Sequence, residues 1–201
     1  MEQTARRQRS DGIRSREAIL NEAARLATVE GLEGLSIGRL ADAVGMSKSG
    51  LFAHFRSKEE LQLATIETAD AIFRAEVLAP ALQAPAGIAR LRALCDGFLD
   101  HLERGVFPGG CFFASVAAEM DTHPGRVRDK AVELSRAWEE ILTGAVRDAQ
   151  AEGAINPTED SAQLAFEIDS FLLNANAQFV IDGDRESLDR ARRAIAERLE
   201  A

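Results

Sequence analysis

No tyrosine occurs among the 201 residues, and aromatic side chains make up only 5% of them. Alanine and leucine dominate the apolar set instead, which favours helices packed through aliphatic side chains and argues against a β-sandwich or barrel. Cysteine is scarce too. Cys95 and Cys111 supply neither a CxxC pair nor a four-ligand zinc set, and they fit a reducing compartment better than a disulfide-stapled secreted domain. No apolar run approaches the roughly 20 residues that span a bilayer, and the Arg-rich N-terminus lacks the apolar block of a signal peptide. A cytoplasmic protein with no membrane partner is expected. At 46% hydrophobic and 28% charged, the composition also excludes a disordered chain.

What is present is charge, unevenly placed. The formal net charge of −9 lies almost wholly in residues 61–201, while residues 1–60 carry 10 Lys/Arg against 9 Asp/Glu. Arg6, Arg7 and Arg9 form a short basic cluster at the N-terminus. An acidic chain still meets a polyanion where its local charge is positive. Any such contact must use the N-terminal end, because the remainder repels phosphates.

Apolar residues recur at helical spacing along most of the sequence. Ile19, Ala23, Leu26 and Ala27 predict a helix over about 13–30 that stops at Gly31. Ser57 and Glu60 form a capping box that opens a helix near Lys58, running to about Leu78. Pro80 and Pro85 then mark a linker or bent connection, and Pro124 suits the first turn of a long helix carrying Trp138. The stretch from about Glu159 to Ile181 is apolar on two sides: Leu164, Ile168, Phe171, Leu172, Ala175 and Phe179 on one, Phe166, Leu173 and Val180 on the other. A helix with two apolar faces needs two neighbours. The following helix offers only Leu188, Ile195 and Leu199. The expectation is therefore a homodimer in which two helices per chain form a four-helix bundle, with Phe166, Leu173, Val180, Leu188 and Ile195 at the interface.

Residues 35–60 carry the functional signal. Two short apolar-patterned pieces, Ile37–Val44 and Leu51–Phe55, are joined through Gly45-Met46-Ser47 and followed by the capped helix, which describes a helix-turn-helix. Gly45 sits where the chain must leave the first helix with positive φ, and Ser47 caps the second. Leu40, Ala41, Val44, Met46, Leu51 and Phe55 form a small core, leaving Lys48, Ser49, Phe52, Ala53 and His54 at the surface. Such a surface suits a major groove. Lys48 and the helix N-terminus face a phosphate, Ser49, Gly50 and Ala53 permit close approach, and His54 and Lys58 reach flanking phosphates. The Arg6/Arg7/Arg9 arm is placed to enter an adjacent minor groove.

The stretch from Leu35 to Leu61, with the helix before it, resembles the DNA-binding domain of the tetracycline-repressor (TetR) family of bacterial transcription regulators. Turn glycine, Ser47-Lys48, His54-Phe55 and Ser57-Lys58 coincide in order and spacing over about residues 13–62. The resemblance implies an all-α protein of about nine helices. An N-terminal three-helix domain with the helix-turn-helix (1–60) would be followed by a helical ligand-binding and dimerisation domain (61–201), dimeric through the last two helices. It further implies that Lys48, His54 and Lys58 contact phosphates and that Ser36, Ser47 and Ser49 face DNA. Where family members commonly carry glycine then a hydroxyl residue after the lysine, this chain has Ser49-Gly50. Where they carry two tyrosines before the histidine, it has Phe52 and Ala53.

A ligand pocket is expected among Phe98, Leu102, Phe112, Phe113, Val116, Met120, Trp138 and Phe171, which lie on apolar stripes of the C-terminal part and also suit a plain core. Asp169, Asn174 and Asn176 serve either a ligand or a dimer seam. Enzyme motifs fall short. Gly45–Gly50 has phosphate-loop spacing but Leu51-Phe52 follows it, and Gly45-Met46-Ser47 lacks the closing glycine and preceding strand of a nucleophile elbow. Glu119, Asp121 and His123 with His101 outline a metal site or a solvated helix end, and Cys95 with Cys111 outline a redox pair or two small core residues. The reading is a homodimeric repressor, not an enzyme, that needs no cofactor and no metal. It is released from a palindromic double-stranded DNA operator by a small apolar effector. A metal- or thiol-sensing regulator and an architectural DNA-binding protein without a ligand are the alternatives.

Overall fold

The structure, a computed structural model, describes the backbone of residues 2–120 and 124–200 and the side chains of residues 15–120 and 124–200. The described residues hold helices and no strands: α1 (Glu2–Glu30), α2 (Ile37–Ala43), α3 (Lys48–Phe52), α4 (Lys58–Phe73), a short turn α5 (Ala79–Ala81), α6 (Ile88–Glu103), α7 (Phe112–Met120), α8 (Arg126–Ala151), α9 (Ser161–Asp182) and α10 (Glu186–Glu200). Serine hydroxyls start the three helices after α1. Ser36 accepts from the Arg39 amide, Ser47 from that of Gly50 and Ser57 from that of Glu60. Glu60 reaches back one residue beyond the Ser57 cap and accepts from the Arg56 amide at 3.0 Å, a variant of the reciprocal box. Gly45 has φ +67°, the left-handed conformation that the turn demands.

Several boundaries differ from the sequence expectation. The first helix begins at Glu2, so Arg6, Arg7 and Arg9 lie on a helical backbone rather than an extended arm, and their side chains lie outside the described residues. Helix α3 ends at Phe52 rather than Phe55. Pro124 precedes the long helix, whose N-cap is Gly125. Pro80 does not end the fourth helix. The chain passes from α4 through a π-turn, Arg74–Leu78, into α5, with the Ala79 amide bonded to the Arg74 carbonyl. Proline has no N–H for the carbonyl four residues back, and a one-residue slip of the ladder accommodates it.

Two apolar clusters fill the molecule. One joins the π-turn, α6, α8, α9 and α10 around Leu91, Phe98, Leu142, Ile168 and Leu188. The other joins α1 to α4 with the loop before α7, α7 itself and the start of α8, around Ile19, Leu32, Leu40, Phe55, Phe112 and Leu134. The three-helix unit therefore has no core of its own separate from residues beyond 61. Phe112, Val116 and Met120, expected in the pocket, are fully buried in this shared cluster because their face of α7 turns towards α1.

At the dimer candidates the structure divides the set. Phe166, Leu173 and Val180 stand exposed on α9, joined by Ile181. Leu188 and Ile195 are buried within the protomer, so they are core rather than interface. Helix α10 owns one apolar stripe, and packing on α9 and α6 consumes it.

Candidate functional site

Around α3 the exposed residues are Ser47, Lys48, Ser49, Phe52 and Ala53, with Gly50 and His54 half-buried. Phe52 is 57% exposed, unusual for a phenylalanine without a partner. The Ser47 and Ser49 hydroxyls lie 3.2 Å apart. The Lys48 ammonium passes over α2, where a Cβ at Gly38 would stand 3.3 Å from Nζ. Ser36 is exposed at the start of α2. Lys58 donates to the Glu33 carbonyl at 2.7 Å and to its carboxylate at 2.9 Å, so part of its charge is already answered within the protomer. The phenyl ring of Phe55, buried beneath, takes the Arg16 guanidinium on its face at 4.8 Å. Serine caps, the turn glycine and this small core thus hold one short helix outward with small and cationic residues on its rim.

A cavity of about 630 Å³ opens between α4, α6, α7, α8 and α9. Of the eight expected pocket residues, Phe98, Phe113 and Trp138 line it; Leu102 and Phe171 pack into the C-terminal core instead. Phe73, which the sequence reading missed, completes an aromatic group. Its ring lies edge-on to Phe98 at 6.3 Å, Phe113 at 5.9 Å and Trp138 at 5.4 Å, and Phe98 stacks on Trp138 at 6.0 Å. A usable signal was the buried stripe Ile66, Ala69, Phe73 and Val77, which marks Phe73 as inward-facing.

Polar groups punctuate the wall. Asp169 accepts from the Trp138 indole N–H at 2.8 Å. Burial raises its carboxyl pKa, the indole bond opposes that rise, and the Glu139 charge adds to it. Asn176 lines the wall and accepts from the Cys111 amide at 2.8 Å, whereas Asn174 is exposed on α9 outside it. Gly110 has φ +83°, and a Cβ there would come within 2.4 Å of the Asn176 amide oxygen, so glycine is required at this corner. Leu173, Val180 and Ile181 bring the cavity's edge to the exposed stripe of α9.

Both thiols are buried. Burial, with a smaller contribution from nearby Asp96, pushes Cys95 up to about 12, and burial pushes Cys111 up to about 11, so neither is a thiolate at neutral pH. Among the described residues no cluster of three His, Cys, Asp or Glu is arranged to hold a metal ion. Asp121 and His123 lie outside the described residues. His101 is buried against Phe73 and Phe107, and Glu119 accepts from the Leu32 and Glu33 amides at 2.6 and 2.8 Å. No described helix is long and apolar enough to cross a membrane.

Comparison with curated proteins gives no match. Among solved structures, a TetR transcriptional regulator from Chloroflexus aurantiacus is 28% identical, covers 94% of this chain and 95% of its own, and superposes with a TM-score of 0.86. AibR, solved in complex with isovaleryl coenzyme A and operator DNA, is 27% identical over 90% of this chain and 97% of its own, with a TM-score of 0.74. A TetR-family regulator from Cytophaga hutchinsonii shares the fold at 20% identity, covering 94% of each chain with a TM-score of 0.82. Residues 19–65 match the model for bacterial regulatory proteins of the TetR family, and residues 87–195 match that for tetracyclin repressor-like C-terminal domains. The serine-capped helix-turn-helix and the helical unit packed beneath it are thus each accounted for, and the chain belongs to the tetracycline-repressor family of DNA-binding transcriptional regulators.

Proposed function

We propose that the protein is a homodimeric repressor that leaves its operator when a small molecule enters the cavity between α4 and α9. The observation that carries this reading is that the cavity wall and the DNA-binding unit share elements. Helix α4 gives Asp70 and Phe73 to the cavity and packs against α1. Helix α7 gives Phe113, Ala114, Ser115 and Ala117 to the cavity while Glu119, near its end, holds the amides between α1 and α2. A ligand that moves either helix moves the base on which α3 stands, and it shifts the population by its differential affinity for the two arrangements.

In the dimer, α9 of each protomer presents Phe166, Leu173 and Val180 to its copy, and the two α3 helices enter successive major grooves about 34–36 Å apart. Lys48 and His54 meet phosphates, Ser36, Ser47, Ser49 and Phe52 face the groove, and Lys58 shares its charge between Glu33 and DNA. Arg6, Arg7 and Arg9 add salt-sensitive affinity. No catalysis is required. AibR, bound to both an acyl-coenzyme A and operator DNA, supports a cavity and a DNA surface working in one chain.

The test is footprinting of the purified protein on its own promoter region. Two protected half-sites on a palindrome, lost on addition of an effector, are expected. Equal affinity for promoter and random DNA points to an architectural protein and refutes the reading.

A further inference from the structure

The cavity is richly aromatic and its charge is one-sided. Among the described residues, three carboxylates, Asp70, Glu139 and Asp169, stand on its wall against one guanidinium, Arg74. That guanidinium is bonded to Asp70 at 2.7 Å and is thereby spent. Asp169 has the Trp138 indole as its hydrogen-bond donor and makes no ion pair, and Glu139 makes none either among the described residues. The Cys111 thiol, the Ser115 and Ser135 hydroxyls and the Asn176 amide, also on the wall, supply no positive charge. Asp169 is half-buried in this aromatic setting, where its charge is disfavoured until a proton or a cation answers it, whereas Glu139 stands exposed at the rim and adds negative charge there. The rings of Phe98, Phe113 and Trp138 each lie within 6.3 Å of that of Phe73 along the same wall, and the negative π-faces of such rings favour the same sign of charge.

We propose that the effector is an organic cation with a bulky apolar body, its charge held by Asp169 and Glu139 and its body packed among Phe73, Phe98, Phe113 and Trp138. The assignment rests on the ligand-pocket reading given above and narrows it. A coenzyme A thioester, as found in AibR, carries phosphates that would meet two unanswered carboxylates, so this cavity differs in the sign of charge it accepts. A volume of about 630 Å³ is ample for a body of several rings.

The test uses three probes of nearly one shape and different charge: tetraphenylphosphonium, neutral triphenylphosphine oxide and tetraphenylborate. Binding to the full-length protein is read by titration calorimetry and by the emission of Trp138, the only tryptophan in the chain. The cation is expected to bind at least about tenfold more tightly than the neutral probe, and the anion more weakly still. Asp169→Asn keeps an acceptor for the indole N–H, so the fold is retained. It should cost the cation roughly tenfold in affinity while leaving the neutral probe unchanged. Ala114→Trp, which fills the cavity, should abolish binding. If the neutral or anionic probe binds as well as the cation, or Asp169→Asn leaves the cation unaffected, the charge assignment is overturned while the ligand pocket stands. Cation binding that survives Ala114→Trp lies elsewhere and overturns it as well. If none of the three probes gives heat or moves the Trp138 emission, the pocket reading itself falls with it.

Discussion

Replacing Glu119 should loosen the grip of the C-terminal helices on the DNA-binding unit, and the structure sets the size of the effect. Its two carboxylate oxygens accept from the Leu32 amide at 2.6 Å and the Glu33 amide at 2.8 Å. A hydrogen bond to a charged group contributes about 1.5–3 kcal/mol, with exposed ones near the lower end. Leu32 is fully buried and Glu33 exposed, so Glu119→Ala should cost about 3 kcal/mol in all. Glu119→Gln keeps one acceptor but turns an NH2 group on the other amide, and should cost about half as much. The assay is urea unfolding at fixed protein concentration, where the midpoint should fall with an unchanged slope. A second disruption comes from the other side. A Cβ at Gly31, where φ is +80°, would lie 2.7 Å from the Glu119 carboxylate, so Gly31→Ala attacks the same contact. The two changes should be less than additive when combined, because the contact is lost only once. If Glu119→Ala shifts stability by less than about 0.5 kcal/mol, or the double variant is strictly additive, the contact is no clamp.

Other perturbations follow from the same packing. Lys48→Ala should weaken operator and random DNA alike and reduce the slope of log affinity against log salt by about one, read by fluorescence anisotropy at several salt concentrations. Phe166→Lys, at a side chain 68% exposed in the protomer and not part of the cavity lining, should leave the helical content intact yet yield monomers in sedimentation and abolish cooperative operator binding. His101 is buried with neither ring nitrogen hydrogen-bonded, and burial, aided by the nearby Arg104 charge, lowers its pKa from 6.5 to about 4. The unfolded chain then binds the extra proton first, so stability from this group is complete above pH 6.5 and is lost as pH falls towards 4, by at most about 3 kcal/mol. His101→Phe should flatten that acid limb in pH-dependent unfolding.

The helix-turn-helix was legible because it is a local object. Ser47, Gly45 and the Ser57-Glu60 box act over three or four residues, and each is found doing what its spacing requires. The long helices were legible from their stripes, including the two-faced one, whose Phe166, Leu173 and Val180 do stand exposed. What failed was the question of which neighbour each apolar face meets. Phe112 and Phe113 are adjacent and chemically identical, yet α7 turns the first into the core shared with α1 and the second into the cavity. Leu188 and Ile195 look as available as Leu173 until α10 is seen to have no other stripe with which to pack. Pro80 marked a break in sequence, but a π-turn two to six residues before it let the helix continue. Tertiary choice of partner is non-local, and periodicity names a face without naming what lies opposite.

That shared core also supplies the route by which, in the proposed mechanism, a cavity far along the chain would act on α3. Phe112, Val116 and Met120 lie on the face of α7 that joins the cluster of Leu32, Leu40 and Leu61, whereas Phe113 and Ala117 lie on the face that lines the cavity. A rigid nine-residue helix cannot yield on one side without moving the other, because close-packed interiors shift between discrete arrangements and do not deform smoothly. On the opposite wall, the cavity touches Phe73, Arg74 and Leu78, spanning the π-turn where the α4 ladder is already slipped by one residue. A ladder with an out-of-register turn has an alternative register close at hand. In the proposed repressor, ligand contact at Phe73 and at Phe113 would bear on two levers, α4 and α7, that both pack on α1, and tilting either would change the distance between the two recognition helices of the dimer.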